Sequence, residues 1–374
     1  MLSRTTLAVI VALSFVCCSV SAADVIGKAA QGDPQIASLN VLSFAPDGTL
    51  LVGDGRAAQI VAIDTSSPTD TKKTEWTGPV EKIQAKLAAR LGTTSDGIEI
   101  LDLAVHPVTS VAFLAVRKQD DKSFVLLTVD GAGTIRDFPL NDVRYARARL
   151  DVGDSRITLV TDVAWADDRI IAAGRSNEEF ASKIFSVDAP LDHDASSAAY
   201  SSETYHVSHG RWETRAPMSV LIPFKENDQT YVIGAFSCTP IVKYPLDALQ
   251  PGANVKGSSM IELGSGNRPL DMFVYQKDGK NYVLANTFRF HHDRRPFGPS
   301  PYWTVRFEQG LLAGDKRVNE DAVRRLKGNE PAASGIDTIE DYHGVMQMDQ
   351  LDDRRALTLR QTDEGLSLGP QLLP

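Results

Sequence analysis

The chain has 374 residues, with 39 Lys and Arg against 48 Asp and Glu, 43% hydrophobic residues and three cysteines. That composition excludes a disordered chain, a collagen-like fibre and a disulfide-stapled miniprotein. A net charge of −9 argues against nucleic acid as the main partner, because phosphate binding needs a basic face.

Residues 1–22 read as a secretory signal. A short start carrying Arg4 leads into an apolar run over 7–18, then into small residues, with Ser21 and Ala22 before Ala23. The run is too short for a membrane span, and no later segment approaches about 20 apolar residues. The expectation is a cleaved chain, periplasmic or secreted, whose residues 23–374 form one domain. Cleavage removes Arg4, Cys17 and Cys18, so the mature chain is one charge more negative and keeps only Cys238. A lone thiol cannot close an internal disulfide, and stability must come from the core.

Strand patterns fill the rest. Residues 25–36 come first and are expected to supply an outer strand that closes a ring with the last unit. A helix is predicted over 78–91, with Val80, Ile83, Leu87 and Leu91 at helical spacing and Gly92 as the stop. A weaker helical stretch covers 319–326. Elsewhere one unit recurs: strand, tight polar turn, strand, looser loop, third strand. Equivalent points fall near positions 44, 105, 163, 221, 273 and 346. Short strands repeated at near-constant step predict an all-β fold, a six-bladed β-propeller with short helical insertions. The long connection over 309–342 leaves room for a seventh blade.

The phrase FAPDGTLLVGD over 44–54 resembles the opening of a blade in the NHL-repeat, regucalcin/gluconolactonase and YVTN-type propellers. The resemblance implies the fold. Gluconolactonase-like members hold a divalent cation with an acidic residue, two Asn and an Asp at the channel mouth, and this sequence does not order such a quartet. Function has to be read from the site, since one fold hosts many chemistries.

Strand order sorts the loops between the two faces of a propeller. Starts of first strands and loops between second and third strands share one face. That face collects Asp102, Asp162, Asn267, Arg268, Asp271, His343, Asn177, Glu178, Cys238, His291 and His292, and the unusual stretch 203–217. Five of the seven histidines fall there, with His106 on the opposite face and His193 in an outer connection. Imidazole and thiolate suit Cu, Zn or Fe, and carboxylates suit calcium. The candidate metal ligands are therefore His206, His209, Glu203, Glu213 and Cys238. Guanidinium groups read carboxylates bidentately. The candidate ligand-binding set is Arg215 and Arg268 with Asp271, Asn177, Glu178 and His343. Ser208 lacks a nucleophile-elbow context, and no c-type haem or phosphate-loop motif is present. The expected function is an exported binding protein that holds a small molecule, another exported protein or a metal at the mouth. The alternative is a metal-dependent enzyme, lactonase-like hydrolase or oxidoreductase, using the same residues.

Overall fold

A computed structural model describes residues 24–66, 72–207, 209–237, 240–248, 250–264, 266–296, 298–314 and 335–374, with the backbone of 323–324. The signal expected over 1–22 lies outside these residues, as does Cys238. Among the described residues no helix is long and apolar enough to cross a membrane.

Six antiparallel meanders form six blades. In chain order, blade 1 has Val41–Phe44, Leu50–Asp54 and Gln59–Ile63. Blade 2 has Ile98–Val105, Ala112–Lys118, Phe124–Val129 and Ile135–Asp137. Blade 3 has Ile157–Ala166, Arg169–Ser176, Ser182–Asp188 and Ala198–His206. Blade 4 has Met218–Glu226, Gln229–Phe236, Pro240–Pro245 and Ser258–Glu262. Blade 5 has Asn267–Lys277, Lys280–Arg289, Tyr302–Glu308 and Ile336–Thr338. Blade 6 has Val345–Gln350, Arg355–Thr362 and Gly365–Leu372.

The blades do not follow one another around the ring in chain order. The fourth strand of blade 1 is Val143–Arg149, which arrives only after blade 2 is complete and pairs antiparallel with Gln59–Ile63. Blade 2 is thus inserted inside blade 1. It sits on the far side of blade 1 from blade 3, and the ring runs 2, 1, 3, 4, 5, 6 and back to 2. The buried core agrees: six apolar clusters each bridge one neighbouring pair of blades in this order. One joins Leu51 and Ile60 of blade 1 to Val163 and Phe185 of blade 3. Another joins Leu50 and Val61 to Phe113 and Leu126 of blade 2.

Closure therefore falls between blade 6 and blade 2. Leu357 and Leu368 pack there against Leu103 and Leu114, with Trp76, Val80, Ile83 and Leu87 filling the edge. The N–H and C=O of Val80 and Leu368 exchange hydrogen bonds of 2.7 and 3.2 Å. This bridge shortens the predicted helix to Ile83–Arg90, because Val80 is extended as a strand partner. Arg355 adds a 2.9 Å bond to the Trp76 carbonyl.

Three sequence expectations are corrected. The N-terminal strand Ala30–Gly32 does not join the last blade; it pairs with Val143–Arg149 at the edge of blade 1. No seventh sheet forms among the described residues, since Ile336–Thr338 extends blade 5 and Val323–Arg324 extends blade 4. The helix expected over 319–326 is replaced, in its described part, by that short strand.

Candidate metal centre

The stretch 203–217 leaves blade 3 as its outermost strand and turns back on itself. Thr204 pairs with Glu213, Tyr205 with Trp212 and His206 with Arg211. Gly210, at a φ of 65°, makes the tight turn, and the His206 carbonyl accepts the N–H groups of His209 and Gly210 at 3.1 and 2.9 Å. Side chains alternate across the pleat. One face carries Tyr205 and Trp212 edge to face at 5.7 Å, with Lys256 over the Trp212 ring. The other carries Thr204, His206, Arg211 and Glu213. Glu203 falls on the Tyr205 face, so the strand turns this expected ligand away from the histidines.

His206, His209 and Glu213 each offer one ligand atom, and these atoms all lie within 4.8 Å of one another. His206 is fully buried and His209 is exposed. Their rings stand 3.8 Å apart between centroids. Nδ1 of His206 lies 3.9 Å from a Glu213 oxygen, and Nε2 lies 3.4 Å from a Glu262 oxygen. Among the described residues neither ring nitrogen makes a well-formed hydrogen bond. Glu262 ends the outer strand of blade 4 and is itself 1% exposed. Glu213 is fixed from behind: its Oε1 accepts the N–H groups of Thr214, Arg215 and Ala216 at 2.8 to 3.0 Å.

Charge follows from this geometry. Burial works against a charged His206, but Glu213 and Glu262 outweigh it and raise the imidazole to about 9. The same contact with His206 pulls Glu213 down to about 2 against its own desolvation. His209 is lowered by desolvation, then by His206 and Arg211.

The expected ligand-binding residues do not join this cluster. Asp271 lies on the inner strand of blade 5, in the wall of the central channel. Arg215 and Arg268 are exposed, the latter 5.9 Å from the Phe288 ring. Asn177 closes a loop by exchanging hydrogen bonds with Arg156. Glu178 is held by Lys183 at 2.5 Å. His343 packs under Gly298, where an added Cβ would come within 2.5 Å of its ring.

The channel itself has a cavity of about 280 Å³ lined by Asp102, Asp162, Asp271 and Asp349. Each carboxylate accepts an N–H from the next blade in the ring. Asp102 takes Leu42 at 2.6 Å, Asp162 takes Leu221 at 2.7 Å, Asp271 takes Met348 at 2.9 Å and Asp349 takes Val105 at 2.7 Å. Sequence reading found the first three and missed Asp349, although Met348-Asp349 repeats the apolar-Asp pattern of Leu101-Asp102 and Leu270-Asp271. On the opposite face a cleft of about 1170 Å³ lies between blades 1 and 2. Two of its arginines are paired within it, Arg136 with Asp130 and Arg144 with Asp64. His106 there accepts the N–H groups of Val108 and Thr109 on Nδ1, a structural role.

No family model matches the chain, and no curated protein matches it. Among solved structures it is similar to a PQQ-bound aldose sugar dehydrogenase from Streptomyces coelicolor, at 12% identity and a TM-score of 0.31, covering 92% of this chain and 99% of that one. It is also similar to a lignostilbene dioxygenase from Pseudomonas brassicacearum, at 10% identity and 0.33, covering 91% and 74%. A GH32 β-fructofuranosidase from Bombyx mori matches at 12% and 0.33, covering 70% and 56%.

Proposed function

We propose that this protein is an exported metal-binding propeller. In this reading the signal over 1–22 directs it to the periplasm or outside the cell. His206, His209 and Glu213 then hold one divalent transition metal at the outer rim between blades 3 and 4. The observation that carries the reading is His206, fully buried with each ring nitrogen facing a carboxylate. Two imidazoles and one carboxylate form a donor set suited to zinc, with copper and iron as the neighbouring choices and calcium disfavoured by the nitrogen donors. Loading a cation displaces the His206 proton, so uptake releases protons. Exposed His209 leaves one side of the site open to solvent, which is the feature that favours the enzymatic alternative, because catalytic zinc keeps an open position.

Elemental analysis of protein purified from its native compartment, with zinc titration of the stripped protein, tests the proposal. One equivalent is expected for the wild type and none for His206→Ala/His209→Ala. Stoichiometric metal in the double variant places the site elsewhere and overturns it.

A further inference from the structure

The identity of the ligating nitrogen on His206 is set from another blade. We propose that Glu262 is a positioning residue: it accepts a hydrogen bond from the Nε2–H of His206 and thereby presents Nδ1 to the cation. The inference rests on the metal reading above.

A metal-bound imidazole gives one nitrogen to the cation and donates its other N–H to a carboxylate or carbonyl, which fixes tautomer and orientation. His206 has a carboxylate beside each nitrogen. Nδ1 faces Glu213 at 3.9 Å. Zinc bonds near 2.0–2.1 Å put tetrahedral ligand atoms about 3.3 Å apart, so closure by a few tenths of an ångström completes that side. On the other side Nε2 faces Glu262 at 3.4 Å. The Glu262 oxygens are not among the mutually close ligand atoms, which are those of His206, His209 and Glu213. With Nδ1 as the ligand atom, the His206 ring stands between Glu262 and the cation position. Because the ligands ride on the hairpin of blade 3 and Glu262 on the outer strand of blade 4, the oriented site exists only where the two blades pack.

The full-length mature chain is titrated with zinc against a competing chelator, for wild type, Glu262→Leu and Glu262→Gln. Leu is expected to weaken zinc binding by about 10–100-fold, and Gln, which keeps an oxygen acceptor, to recover most of it. In parallel, ¹⁵N NMR reads the ring: Nδ1 metallated in the zinc form, and Nε2–H in the metal-free protein with His206 neutral. Wild-type affinity in Glu262→Leu, or an Nδ1–H tautomer in the metal-free wild type, overturns the inference. If the wild type takes up no zinc, the metal reading falls by itself. The tautomer then still decides whether Glu262 fixes the Nε2–H form of His206. Should Glu262→Leu fail to fold, Glu262→Gln and the wild-type tautomer decide alone.

Discussion

Glu213 does two jobs with two oxygens, and substitution can separate them. Oε1 gathers three backbone N–H groups while Oε2 faces His206. Glu213→Ala strands those donors, a loss of about 1–3 kcal/mol. Glu213→Gln keeps an Oε1 acceptor and is expected to lose less stability, yet both variants should bind zinc weakly. Chemical denaturation beside zinc titration checks this, and equal destabilisation by Gln and Ala refutes the division of labour. The local part of this site was legible in sequence, since His206, His209 and Glu213 lie on one short hairpin whose spacing brings them together. Glu262 was not. It is one acid among 48 Asp and Glu, and only the packing of blade 4 on the hairpin distinguishes it. Glu203 misled because closeness in sequence to His206 is not closeness in a strand, whose alternation sends residues 203 and 206 to opposite faces.

At the scale of elements, the helix is the closure device of the ring. Leu87 is fully buried in the cluster that holds Ile98, Leu103 and Leu368, and its helix packs on both blades that meet there. Leu87→Ala should cost about 2–5 kcal/mol. Its particular signature is local. Amide exchange at Val80 and Leu368, which bond only across the seam, should accelerate more than exchange at Val163 or Val232 inside other blades. Uniform acceleration would show that the helix merely adds bulk to the core. Second and third strands were legible because runs such as Gln59–Ile63 and Tyr302–Glu308 are apolar and bounded by turns. The pairing of edge strands was not: Ala30–Gly32 joins Val143–Arg149 more than 100 residues on, that strand joins Gln59–Ile63 more than 80 residues back, and nothing local encodes either partner.

Over the whole molecule, four of the six blade junctions are latched by a channel aspartate, and this gives the ring a pH dependence. Burial is the first cause in every case. It raises Asp349 to about 6, Asp162 to about 7 and Asp271 to about 8, with Asp102 also raised by its proximity to Asp271. Released on unfolding, these groups return to the ordinary value near 3.9. Between about pH 4 and 8 the folded ring therefore holds protons that the unfolded chain gives up. Stability is then greatest on the acid side of this window and falls as pH rises through it. His206, raised to about 9 by its glutamates, acts in the same direction, and His106, lowered by burial, acts against it. Comparison with Asp162→Asn isolates the latch. The wild-type denaturation midpoint should decline from pH 5 to pH 8, and the variant should decline less steeply, because its amide at the Leu221 junction cannot ionise. A wild-type midpoint that rises across this range would mean that the channel carboxylates are already ionised when folded, with the interblade N–H groups stabilising their charge.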